Sequence, residues 1–178
     1  MGKSYSNVVV IGADEMDVAA VCRRPAFLAR LARIITVFTE GDDSGDAPTE
    51  GEISERLACI TLNSWVHDSD ILGYRVFDRG ALITEGVVPD PLEFFGHELS
   101  GIDATGVRPD PALLVAALGR GDAAAVASAL TDGFVLAEER HEALLTALDL
   151  PTIAARFGYR FLDEDDTGYD GPALTRLD

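Results

Sequence analysis

His67-Asp68-Ser69-Asp70 places one imidazole and two carboxylates within four consecutive residues. Divalent cations accept that ligand set, and a carboxylate beside a histidine can orient it as a general base. A metal held by His67, Asp68 and Asp70 needs a further ligand from elsewhere, and Glu85 and His97 have suitable side chains. The same residues also compose a turn, because Asp and Ser bond readily to their own neighbouring backbone. The turn reading carries more weight, since no second cluster at metal-ligand spacing accompanies the first. Phe94, Phe95 and His97 form another constellation: two aromatic rings and an imidazole that could line a small-molecule pocket, or else simply fill core.

Other candidates fail on spacing. Glu139-Arg140-His141-Glu142 is not H-E-x-x-H, so it reads as salt-bridged helix surface with His141 partly buried. Asp163-Glu164-Asp165-Asp166-Thr167-Gly168 begins like a calcium loop, but Leu174 stands where a bidentate Glu is required. Arg23, Arg24, Arg30 and Arg33 form the one basic cluster and suit helix ends and ion pairs. G-x-S-x-G, the phosphate-loop motif and G-x-G-x-x-G are all missing. Cys22 and Cys59 lack C-x-x-C spacing and read as small buried hydrophobes. No cofactor is predicted, and the balance leans away from an enzyme.

The elements that must position these residues follow from pattern. Val8 to Ile11 reads as a buried strand, and Asp14 to Arg24 as a helix with acidic residues at its start. Phe27, Leu28 and Leu31 fit one or two further helical turns, and Ile34 to Thr39 is a β-branched strand. Cys59 to Val88 reads as a three-stranded antiparallel meander, with turns at His67–Asp70 and Asp78–Gly80. Residues 53–62 also fit a helix, and the two readings stay open. Asp110 and Asp122 read as N-caps of helices, Glu138 to Leu148 as a third, and Pro151 to Phe157 as a fourth segment. Gly158 to Leu162 suits a last strand or an extended arm.

Strands first and helices last make an α+β chain. The expected fold is a mixed sheet with an N-terminal βαβ-like unit and an antiparallel meander, followed by short C-terminal helices. Residues 1–162 read as one domain, with an acidic loop at 40–55 and a helical part from 111. Residues 163–178 read as a frayed acidic tail.

Charge bounds the partners. The 178 residues carry 31 Asp and Glu against 14 Lys and Arg, a net charge of −17. Such a chain repels phosphate backbones and anionic lipid and attracts basic proteins, so nucleic acid and membrane are not expected partners. No apolar run suits a signal peptide or a membrane span, which points to the cytoplasm. Lys3 is the sole lysine, and the wealth of Arg, Ala, Gly and Asp fits a high-GC bacterial genome.

Two stretches carry a resemblance. Trp65 to Gly80 with the following Leu82 to Pro91, and Ala137 to Leu144 running through Leu148-Asp149-Leu150-Pro151 to Phe157-Gly158-Tyr159, resemble a group of uncharacterised bacterial proteins. The similarity covers about half the chain and implies a bacterial α+β protein without an assigned activity. The leading expectation is a non-enzymatic interaction or regulatory protein that meets a basic partner. The alternatives are a metal-dependent enzyme using His67, Asp68 and Asp70, and a small-molecule binding module using Phe94 and Phe95.

Overall fold

Val8, Val9 and Val10 are apolar at consecutive positions because their strand is covered on both faces, and none is more than 5% exposed. The computed structural model describes residues 2–22, 25–39, 50–89, 108–164, 168–169 and 171–177. Along the chain come β1 (Tyr5–Ile11), α1 (Glu15–Val21), β2 (Ala26–Leu31), β3 (Ile34–Thr39) and α2 (Glu50–Leu57). The meander follows as β4 (Ile60–His67), β5 (Ile71–Asp78) and β6 (Ala81–Val88). Then come α3 (Pro111–Leu118), α4 (Ala123–Thr131), α5 (Ala137–Ala147), α6 (Ile153–Arg156), α7 (Tyr159–Asp163) and β7 (Leu174–Leu177).

The seven strands form one sheet in the order β6-β5-β4-β1-β3-β2-β7. Its two faces are dressed differently. Val9, Leu62, Leu72 and Val76 meet Leu114, Leu144 and other residues of the C-terminal helices on one face. Val8, Val10, Ile35 and Val37 meet Val18 and Val21 of α1 and Ile53 of α2 on the other. The α+β architecture, the meander and the short C-terminal helices are as expected.

Five details differ from the sequence reading. Residues 26–31 are a strand rather than a continued helix. Phe27, Leu28 and Leu31 fit either period, and the short Ala32-Arg33 turn lets β2 pair along its whole length with β3. That pairing satisfies backbone groups a short helix would leave open. The sheet is therefore antiparallel throughout instead of mixed, since β1 runs antiparallel to both β3 and β4. The expected βαβ-like unit is a strand, a helix and a hairpin.

Residues 159–163 are helical rather than extended, with Leu162 buried against Phe27, Ala29 and Phe38. The chain's last strand, β7, pairs with β2 where a frayed tail was expected. Its alternation explains the docking: Leu174 joins the cluster around Phe38 and Leu177 joins the cluster on the opposite face. Arg176 adds an ion pair of 3.0 Å to Asp163 and lies over the Phe27 ring.

Residues 53–62 satisfy both open readings in turn. Helix α2 ends where Ala58 turns left-handed (φ 48°), and β4 begins at Ile60. Ser54 locks the junction, donating to the Cys59 carbonyl at 2.7 Å and accepting from the Gly80 amide at 3.1 Å. Asp110 and Asp122 cap α3 and α4 as expected, accepting from the amides of Leu113 and Ala125 at 2.9 and 2.8 Å. No helix among the described residues is long and apolar enough to cross a membrane.

Candidate functional site

The turn at residues 67–70 joins β4 to β5 and closes with a bond from the Asp70 amide to the His67 carbonyl, 3.0 Å. Asp68 and Ser69 both have positive φ, 49° and 61°, the geometry whose twist matches a hairpin. Around this turn the N-terminal segment is laced. The Gly2 amide donates to the Asp68 carboxylate at 2.9 Å, and the Lys3 amide donates to Ser69 Oγ at 2.7 Å. The Ser69 amide returns a bond to the Lys3 carbonyl, and Ser4 Oγ accepts from the Asp68 amide. On the other side Ser69 Oγ donates to Glu138 Oε1 at 2.7 Å, and the Ala137 amide donates to the Ser69 carbonyl. The turn thus clamps three pieces of chain: the N-terminus, the meander and the start of α5.

His67 and Asp70 are exposed on this clamp. Glu85, offered as a further ligand, sits on β6 opposite Arg75 and bonds its guanidinium at 3.3 Å. Among the described residues no group of three His, Cys, Asp or Glu is placed to hold a metal ion. His97, Phe94 and Phe95 lie outside the described residues, as do the middle positions of the calcium-like segment. Because Ser69 is the node of the clamp, its replacement by Ala is expected to cost about 1–3 kcal/mol of stability, readable in urea unfolding.

A second polar constellation was not legible as such. His141 is fully buried, where a partly buried surface position was expected. It lies on α5 with its ring stacked against Tyr5 of β1, centroids 5.8 Å apart. The Tyr5 hydroxyl donates to the Ala155 carbonyl at 2.7 Å and lies 3.0 Å from His141 Nδ1. With the hydroxyl proton committed to Ala155, Nδ1 carries the hydrogen and Nε2 a lone pair. That Nε2 has no hydrogen-bond partner among the described residues.

Burial pushes the His141 imidazole down from 6.5 to about 3, so the ring is neutral at physiological pH. Burial, then the nearby charges of Glu138 and Glu142, pushes the Tyr5 hydroxyl well above its ordinary range. Two positions along β1, Asn7 donates through Nδ2 to the carbonyls of Ala154 and Phe157, each at 2.7 Å, and so ties α6 to the sheet. Tyr5, Asn7 and His141 are therefore joints between the sheet and the helical layer. The signal for Tyr5 and Asn7 was present but weak: three polar residues, Tyr5, Ser6 and Asn7, lead into the Val8–Ile11 run of the same strand.

Cys59 is buried and Cys22 half-buried, both packed in the cluster around Val8 and Val10. Burial pushes the Cys22 thiol up to about 11. Both thiols are expected to react slowly with a disulfide reagent at pH 7.5 in the native protein and fully after denaturation. Fast native labelling of both would contradict this packing.

The remaining feature is a surface groove where α4 and α5 lie antiparallel. At one end Arg140 donates to the Ala129, Leu130 and Asp132 carbonyls, closing the C-terminus of α4. At the other the Asp122 amide donates to the Ala147 carbonyl at 3.0 Å. Ala129, Ala143 and Ala147 leave the seam open as a groove of about 620 Å³. Its lining contains three carboxylates, Asp132, Glu139 and Glu142, and no basic side chain.

No family model matches the chain, and neither a curated protein nor a solved structure does.

Proposed function

We propose that this chain is a non-enzymatic interaction or regulatory protein that engages a basic protein partner. The charge balance carries the reading: if every Lys and Arg paired with one carboxylate, 17 carboxylates would still be left over. A surface of that kind raises the encounter rate with a cationic partner and repels nucleic acid and anionic lipid. The geometry is compatible in a specific way. Of the turn residues that could have formed a reactive centre, Asp68 spends its carboxylate on the Gly2 amide in the clamp, and the buried histidine is neutral and enclosed. The helical layer meanwhile presents an acid-lined groove at the surface.

The test is native co-purification at low and high salt, followed by reconstitution with the recovered partner in pure form. A stoichiometric basic partner that dissociates as salt rises is the expected result. Recovery of no stoichiometric partner, or of one whose affinity is indifferent to salt, overturns the proposal.

A further inference from the structure

We infer that the groove between α4 and α5 is the docking surface, and that its occupant is a basic amphipathic helix of the partner protein. The inference deepens the basic-partner reading and rests on it. Three observations converge on this occupant. The floor is made of Ala129, Ala143 and Ala147, small enough for another helix to approach closely. The rim is acidic, with Asp132 and Glu139 exposed. Two guanidiniums lie nearby and both are engaged by the chain itself. Arg156 pairs with Glu142 at 2.6 Å, and Arg140, beside Asp132, is held by its three carbonyl bonds and its stacking over Phe134, so the rim's charge towards a partner rests on Asp132 and Glu139.

Beyond Phe134 the loop exposes Val135 (86%) and Leu136 (43%), so the groove's end offers apolar contact. Charge complementarity then specifies the partner. Lys or Arg on both flanks of its helix would meet the carboxylates, and a narrow apolar stripe would lie over the alanines. The 11 residues of α5 span about 16 Å, room for roughly three turns of a docked helix.

The experiment uses the full chain, isotope-labelled for amide resonance mapping. Its probe is a synthetic three-turn peptide of Leu at helical spacing with Lys on both flanks, alongside a scrambled peptide of identical composition. The patterned peptide is expected to shift amides of α4 and α5 and to bind more tightly than the scrambled one. Asp132→Lys with Glu139→Lys should weaken it at least tenfold. Ser128→Trp, at an exposed position lining the groove, should do the same by filling it, with circular dichroism and Tm unchanged.

Shifts confined to another surface, equal binding of the scrambled peptide, or unchanged affinity in both variants would overturn the groove while leaving a basic partner in place. Absence of any binding by either peptide at low ionic strength would overturn both.

Discussion

Acidifying the protein from pH 8 to pH 5 is expected to lower its unfolding free energy by about 2 kcal/mol through His141 alone. In the folded chain the imidazole titrates at about 3 because burial disfavours its charged form. In the unfolded chain it titrates near its ordinary 6.5. Below 6.5 the unfolded state therefore binds a proton that the native state refuses. The stabilisation is full above 6.5 and declines as pH falls towards 3, at up to about 1.4 kcal/mol per pH unit.

Carboxylates also titrate in this interval, so the diagnostic is a difference between two proteins. His141→Phe keeps a planar ring against Tyr5 and removes both the proton site and the unpartnered Nε2. The Tyr5 hydroxyl keeps its bond to Ala155 in that variant. The variant is expected to match the wild type within about 1.5 kcal/mol at pH 8, and to overtake it or close the gap by about 2 kcal/mol at pH 5. Urea unfolding at both pH values measures this. Parallel pH profiles for the two proteins would show that His141 is accessible to protons in the native state.

Asn7→Leu carries the other large effect. The Asn7 amide group donates to two carbonyls of the α6 segment, those of Ala154 and Phe157, and the side chain is fully buried. Leucine has similar volume and no donor, so both carbonyls lose their partner, the Ala154 one in a buried and the Phe157 one in a part-buried position. Removal of the buried Asn7 Oδ1, which has no hydrogen-bond partner among the described residues, offsets part of the cost. Each loss costs about 1–3 kcal/mol, which before that offset puts the variant roughly 2–6 kcal/mol below the wild type. Asn7→Asp should be worse at neutral pH, because it aims a carboxylate at two carbonyl oxygens in a buried site. Chemical denaturation gives the totals. Amide hydrogen exchange should show the α6 region opening before the meander. A loss under about 1 kcal/mol for Asn7→Leu would mean that water reaches the Ala154 and Phe157 carbonyls readily.

These joints show what several of the chain's polar residues do for the fold. His67-Asp68-Ser69-Asp70 was readable as a turn, and the turn is there. What could not be read was the strands and helix it holds, because the Gly2 and Asp68 partners are 66 residues apart and the Ser69 and Glu138 partners 69 apart. His141 was harder to read. Its neighbours Glu139, Arg140 and Glu142 made its helix look like solvated surface. The helix is nonetheless amphipathic, with His141 on the same side as the buried Leu144 and Leu145. Arg140 looks like a surface cation and instead closes the end of α4.

Local chemistry determined what lies near in sequence. The meander came from alternation and turn residues between 59 and 88, and the α3 and α4 starts came from aspartates placed before helical runs. The acidic character of the surface came from composition, since charge needs no fold to be counted. Tertiary structure decided the rest. Residues 26–31 became a strand because β3 was there to pair with, and residues 174–177 became one because β2 had an open edge. Short segments of this kind carry too little intrinsic preference to choose a conformation alone, and backbone hydrogen bonding to a distant partner settles the choice. The same holds for Tyr5, Asn7 and His141, whose roles exist only once the helical layer closes over the sheet.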